Sequence, residues 1–205
     1  MVSLRNLFTA AVALSAPIAA QITPAQVVDN IRALTQKSQA LQAPAQSISL
    51  VNGPLILVGQ GPFPQIITGF TDIVTTATVA INQMQGMPPV AAGEPSDAIF
   101  EAFREFVRVH QVLLNILIGK AGLFETVPFI GAPVAAVLRQ VEKIVDTIAF
   151  ALIDNVQSRA SDIQSQASSL GGTLDTCIQK YEGITNNLKA KRGLRFAARE
   201  VAAAA

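Results

Sequence analysis

One stretch of the chain, residues 38–93, contains a single charged side chain, Asp72, in 56 positions. A membrane-spanning helix needs roughly 20 unbroken apolar residues, and proline and glycine interrupt this stretch repeatedly between Pro44 and Pro64. Its later part is compatible with a helix but is rich in Thr, Asn and Gln. We therefore expect a protein that does not cross a membrane yet shelters much uncharged surface, in its own core or against an apolar ligand or surface.

The first 20 residues have the pattern of a secretory signal peptide. Arg5 supplies a positive charge, residues 7–16 form an apolar segment too short to span a bilayer, and Ala20 is a small residue at the expected cleavage point. We expect residues 1–20 to be removed and the protein to be secreted and extracellular.

The charge distribution divides the remaining chain into two parts. Residues 21–188 hold 13 acidic and 9 basic side chains, whereas residues 189–205 hold 1 and 5. An acidic body argues against nucleic acid as a partner. We expect residues 21–188 to form one domain and residues 189–205 a basic, disordered tail, with proteolytic processing after Arg192 or contact with an anionic membrane as alternative roles.

Helical signals recur along the body, and no strand pattern competes with them. Thr23, Pro24 and Gln26 make a capping box for the first helix, and Pro44 is expected to end or kink it. Apolar residues then recur every three or four positions in four further segments, which predicts an all-α bundle of about five helices. The second helix, near residues 62–84, has so little charge that we expect it to be enclosed on most sides.

The ends of the later helices carry weaker signals. Ser96 is the expected N-cap of the third helix, and Pro133 is the expected first residue of the fourth. The apolar connection between them, residues 123–133, is typical of a segment folded over an opening.

The residues that usually carry chemistry are almost absent. His110 is the one histidine, no metal-binding or nucleophile motif surrounds it, and we interpret it as part of a helix face. Cys177 is alone, so it forms no intrachain disulfide; we interpret it as a buried small side chain rather than an interchain bridge or reactive thiol. We expect neither enzymatic activity nor a bound metal or cofactor.

The order of these segments resembles a known family. A capped first helix, the Asn-Gly-Pro-Leu segment at 52–55, a proline-introduced uncharged helix and a long Ala/Ser/Gln-rich helix ending near Tyr181 are similar to the fungal hydrophobic surface-binding proteins and cell-wall galactomannoproteins. The resemblance covers residues 22–185. It implies a secreted five-helix fold, free or in a cell wall, that holds fatty acids or other lipids in an apolar internal cavity. The chain ends without the hydrophobic tail of an anchor signal, which makes stable wall anchorage doubtful.

The candidate lipid-binding residues lie on the inner faces of the three least charged helices. They are Ile66, Phe70 and Ile73 of the second helix, Phe103, Val107 and Leu114 of the third, and Leu138, Val141 and Ile148 of the fourth. Thr71 and Gln111 are candidates for holding the ligand's polar head. The same apolar side chains could instead pack against one another at normal density.

Two other functions fit the family resemblance. One is a structural or adhesive protein that coats hydrophobic surfaces, and the other is a protein that recruits secreted hydrolases to them. The resemblance also makes cell-wall polysaccharide a possible partner. Co-purifying lipid in native mass spectrometry would favour the cavity over these alternatives.

Overall fold

Most of the residues that the structure describes lie in helices. The computed structural model describes residues 22–52, 55, 59–124 and 130–203, with side chains except those of residues 124 and 184–203. Within these ranges there is no β-strand, which confirms the predicted all-α class, and five of the helices are long. The helices are α1 (Pro24–Ala40), α2 (Gln42–Gln46), α3 (Pro62–Met84), α4 (Glu94–Ala121), α5 (Gly131–Asn155) and α6 (Ala160–Ala203).

The first helix begins as its sequence predicts. The backbone N–H of Gln26 donates to the Thr23 hydroxyl oxygen at 3.3 Å, and the backbone N–H of Thr23 donates to the Gln26 side chain at 2.8 Å. The helix ends at Ala40, because Pro44 has no N–H and its ring would clash with the carbonyl group four residues earlier. The chain turns at Leu41, and the short α2 follows with Pro44 in its first turn.

Helix α3 is not enclosed on most sides, so that prediction is wrong. One stripe of the helix is buried, whereas Thr71, Thr75 and Thr78 on the opposite side are exposed. Each of these three hydroxyl groups donates to the carbonyl oxygen four residues earlier, at 2.8–2.9 Å. Threonine thus satisfies its own hydroxyl in a solvated helix face, and the scarcity of charge does not require burial.

Two helix starts also differ from their predicted positions. Helix α4 begins at Glu94, with Gly93 as its N-cap at a φ of 109° that favours glycine. Ser96 is therefore the third helical residue, where its hydroxyl accepts the N–H of Gly93 at 3.1 Å. Helix α5 begins at Gly131, which places Pro133 at the third position rather than the first.

The five long helices close into a ring. Helix α1 packs against α3 and α4, α4 packs against α6, α6 packs against α5, and α5 returns to α3. If neighbouring axes are about 8–10 Å apart, the centre of such a ring is roughly 8 Å from every axis. Helices on opposite sides therefore cannot touch through their backbones, and large side chains must fill the middle.

Two predicted segments lie wholly or partly outside the described residues. Residues 125–129 of the apolar connection at 123–133 are not described, although Ile130, just before α5, is fully buried. The backbone of α6 is helical through Ala203, but its side chains are described only as far as Gly183. The domain boundary at 188 and the disordered tail therefore stay predictions, as does the signal peptide at 1–20.

Candidate functional site

The centre of the helix ring is the candidate site. The nine apolar residues selected from the sequence are all buried, and they come from three helices of the ring. They are Ile66, Phe70 and Ile73 on α3, Phe103, Val107 and Leu114 on α4, and Leu138, Val141 and Ile148 on α5.

These side chains fill the centre themselves. Phe70, Phe103 and Leu138 have 0% exposed surface, and even the most exposed of the nine, Ile148, reaches only 3%. A void large enough for water beside a side chain would add to its accessible surface, so almost no such space adjoins them. A ligand chain could enter this centre only if the side chains and helices moved apart.

The two polar candidates lie away from the centre. Thr71 is on the exposed face of α3, where its hydroxyl donates to the Ile67 carbonyl oxygen at 2.9 Å. Gln111 lies between α4 and α6, and its amide donates to the carbonyl oxygen of Ser169 at 3.1 Å and to the hydroxyl oxygen of Thr173 at 3.1 Å. The head-group role that the sequence suggested for them does not fit this placement.

A buried polar pair that the sequence reasoning missed lies between α1 and α4. His110 and Ser38 have 0% exposed surface, and Ser38 Oγ is 2.8 Å from His110 Nδ1. Both interrupt apolar stripes, Ser38 after Ile31 and Leu34 on α1 and His110 after Phe106 on α4. A polar residue inside an apolar stripe was the available signal in the sequence.

We assign the roles of the two imidazole nitrogens from the two contacts of Ser38, because only one arrangement of hydrogens makes both contacts hydrogen bonds. The Ser38 hydroxyl lies 2.9 Å from the carbonyl oxygen of Leu34 and donates to it. A hydroxyl has one hydrogen, so its oxygen is left to accept the N–H of His110 Nδ1. His110 Nε2 then carries a lone pair, and this nitrogen has no hydrogen-bond partner among the described residues.

The surroundings of His110 keep its ring uncharged. The ring centroid of Phe106 is 5.3 Å away and that of Phe70 is 6.0 Å away, in an edge-on arrangement. Burial lowers the pKa of His110 from 6.5 to about 4, because the charged imidazolium is poorly solvated in such a core. At neutral pH the site therefore presents one neutral hydrogen-bond acceptor in an apolar setting.

The other side of α4 has buried polar groups with partners. The Tyr181 hydroxyl of α6 donates to the carbonyl oxygen of Leu117 at 3.0 Å, and Cys177 Sγ is 4.0 Å from the carbonyl oxygen of Leu114. Burial raises the pKa of the Cys177 thiol to about 12, so it stays protonated and unreactive. This confirms the interpretation of Cys177 as a buried small side chain.

A groove on the surface has the wrong character for an acyl chain. It lies between the start of α1 and the end of α3, is lined by residues such as Gln26, Asn30 and Gln83, and has a volume of about 260 Å³. Ligand pockets are usually about 300–1,000 Å³ and mostly apolar. The small polar groove is therefore a poor alternative to the ring centre.

Two features are absent from the described residues. No helix there is sufficiently long and apolar to span a bilayer. No group of three or more His, Cys, Asp or Glu side chains within that part is arranged to hold a metal ion.

A solved structure shares this fold. It is the crystal structure of AFMP4P in complex with palmitic acid, which aligns with a TM-score of 0.68 over 78% of this chain and 99% of AFMP4P. The two sequences are 13% identical, so the likeness shows a common fold. No protein-family model and no curated protein matches the sequence.

Proposed function

We propose that this protein is a secreted, non-enzymatic binder of long-chain fatty acids or similar lipids, and that the lipid chain lies at the centre of the helix ring. The observation that carries the proposal is the closed ring of five helices whose middle is filled by apolar side chains such as Phe70 and Phe103. AFMP4P has the same fold and was crystallised with palmitic acid, which supports a lipid of that class.

The chemistry of the centre suits an acyl chain. A neutral apolar chain needs only dispersion contacts and removal from water, worth about 0.8 kcal/mol for each buried CH₂ group. A chain of more than a dozen CH₂ groups could therefore offset the work of separating side chains that now contact one another. Many small rearrangements around a five-helix ring could open this space without breaking any helix.

Secretion and family membership are part of the same proposal. The first 20 residues have the signal-peptide pattern, and the order of helical segments resembles the fungal hydrophobic surface-binding and galactomannoprotein family. The shared fold with AFMP4P supports this assignment. Recovery of the protein from culture fluid, with an N-terminus at residue 21, would test the secretory part.

The lipid site can be tested with a tryptophan reporter, because the chain contains no tryptophan. Phe103→Trp places the reporter at the ring centre, and Phe150→Trp is the matched control on the outside of α5, where Phe150 is 67% exposed. Overpacking at position 103 would cost about 1–3 kcal/mol, so folding is checked first by circular dichroism. A brominated stearic acid quenches tryptophan only at close contact.

The proposal predicts quenching of the reporter at position 103, competed away by palmitic acid, and none at position 150. Equal quenching at both positions would indicate adsorption to the surface. No quenching at either position, in folded variants, would contradict lipid binding altogether.

A second function, coating of hydrophobic surfaces, is favoured by a different observation. Leu50 and Val51, in the connection after α2, are 57% and 82% exposed. Adsorption to apolar beads would test this function. If it operates, Val51→Ser should reduce adsorption without changing the response of the reporter at position 103.

A further inference from the structure

We propose that His110 Nε2 is the acceptor that holds the head group of the bound lipid, and that this head group is an uncharged hydrogen-bond donor, either an alcohol or an unionised carboxylic acid. This inference rests on the proposed lipid binding at the ring centre. It starts from one atom, a buried nitrogen with no partner in the described part of the chain.

Native proteins rarely leave such an atom unpaired. An unsatisfied buried acceptor has lost its hydrogen bond to water without gaining another, which destabilises the folded state. Replacing His110 by an apolar residue would remove that cost and leave the Ser38 hydroxyl bonded to the Leu34 carbonyl oxygen. The imidazole is therefore poorly explained as packing, and a ligand that donates to Nε2 explains it.

The position of the nitrogen fits a ligand at the centre. The imidazole of His110 lies beside Phe70 from α3 and Phe106 from α4. Ser38 from α1 is hydrogen-bonded to its other nitrogen, Nδ1. Phe70 is also one of the apolar residues proposed to contact the acyl chain. A lipid lying along these phenylalanines would bring its polar end within reach of Nε2.

The charge of the surroundings selects the head group. The buried side chains with polar atoms among the described residues are Ser38, Ser96, His110, Cys177 and Tyr181, so no charged side chain of that part of the chain lies in the core. The charged groups near this level of α1 and α4, such as Lys37 with Asp72 and Arg108 with Glu105, form exposed ion pairs. A carboxylate would enter without a countercharge, which is far more costly than an uncharged group.

The tautomer selects the direction of the hydrogen bond. Because Ser38 holds the hydrogen of Nδ1, Nε2 can accept but cannot donate. Hexadecan-1-ol and protonated palmitic acid can donate an O–H to it. Methyl palmitate has a similar chain and a polar end but no hydrogen to donate.

The ligand series tests the inference on the unmodified protein. Binding is measured by displacement of the uncharged fluorophore N-phenyl-1-naphthylamine by each of the three lipids. At pH 7.5 we expect hexadecan-1-ol to bind roughly tenfold more tightly than methyl palmitate, the size of one buried hydrogen bond. Between pH 8 and pH 6, the affinity for palmitic acid should rise by about tenfold per pH unit, since one proton enters with it, while that for hexadecan-1-ol stays constant.

Two variants complete the test. In His110→Phe, the alcohol and the ester should bind equally, within about twofold, because neither finds an acceptor. Gln111→Leu is the matched control one residue along α4, outside the centre, and it should keep the preference for the alcohol. A thermal melt establishes that both variants are folded, and the ligand series on the unmodified protein stands if His110→Phe is not.

The outcomes separate this inference from the proposed function. Equal binding of alcohol and ester by the unmodified protein, or an unchanged preference in folded His110→Phe, would overturn the role of His110 while lipid binding stands. Binding of none of the three lipids would overturn both.

Discussion

Helix α4 contributes to two buried polar regions that differ in how fully their groups are paired. Toward α6, the Tyr181 hydroxyl bonds to the Leu117 carbonyl oxygen, and Cys177 lies near that of Leu114. Toward α1 and α3, His110 pairs one nitrogen with Ser38, and its other nitrogen has no partner among the described residues. In the first region the buried polar groups have partners, whereas in the second one buried nitrogen has none in the part of the chain that the structure describes. We therefore expect a ligand to bind on the side of α4 that faces α1 and α3, beside His110.

The largest change in stability is expected between α4 and α6, where Tyr181 is buried and paired. Tyr181→Ala should lower the free energy of unfolding by about 3–5 kcal/mol, because it removes a fully buried aromatic side chain. Tyr181→Phe keeps the ring and should cost about 0.5–1.5 kcal/mol, because it removes the hydrogen bond to the Leu117 carbonyl oxygen. Denaturant unfolding measures both changes. If Tyr181→Phe weakened lipid binding more than His110→Phe does, the two regions would have been assigned the wrong way round.

Acid should destabilise the folded protein through His110. Because burial lowers the pKa of His110 from 6.5 to about 4, the unfolded chain takes up a proton that the folded chain does not bind between these values. This contribution to stability is complete above about pH 6.5 and is lost as the pH falls toward 4, by roughly 3 kcal/mol in total. Comparing unfolding of the unmodified protein and His110→Phe across this range isolates it. Parallel curves for the two proteins would show that His110 is not buried as described.

A smaller effect is expected from the partner of His110. Ser38→Ala should destabilise the protein by about 1–3 kcal/mol, because it leaves the Nδ1 hydrogen without an acceptor. The same change in a His110→Phe background should cost less than about 1 kcal/mol, and the difference measures the coupling of the pair. Additive effects in this double-mutant cycle would contradict the hydrogen bond and the tautomer that follows from it.

The smallest change in stability is expected for His110→Phe itself. Removing the unpaired nitrogen offsets the strain of a slightly larger ring, so the free energy of unfolding at pH 7.5 should change by no more than about 1 kcal/mol. Tyr181→Phe differs because it removes a hydrogen bond that the folded protein makes. A loss of several kcal/mol in His110→Phe would show that the imidazole is a structural group like Tyr181.

Much of the fold could be predicted because apolar periodicity is local. The five long helices, the capping box at Thr23 and the nine central apolar residues all follow from spacings of three and four residues. The closed ring of five helices could not be predicted, because it depends on contacts between helices that are far apart in the sequence. The same limit hid the polar pair, since Ser38 and His110 are 72 residues apart.

The hydrogen-bond partners of polar side chains could not be predicted from the sequence. Thr71 was expected near a ligand because its helix carries little charge, yet its hydroxyl is satisfied by a carbonyl group of the same helix. Gln111 was expected there as well, yet its amide joins α4 to α6. His110 was interpreted as part of a helix face, which its burial on α4 confirms, but the sequence could not show that its Nε2 has no hydrogen-bond partner among the described residues.

The single histidine allows one direct measurement of the central claim, that the core keeps an acceptor for a ligand. In protein labelled with ¹⁵N-histidine, nitrogen NMR reports both imidazole nitrogens without ambiguity. The account predicts a protonated Nδ1 and an unprotonated Nε2 at neutral pH, with the Nε2 signal alone shifting strongly when hexadecan-1-ol saturates the protein. A protonated Nε2, or an Nε2 signal unmoved at saturation, would contradict it.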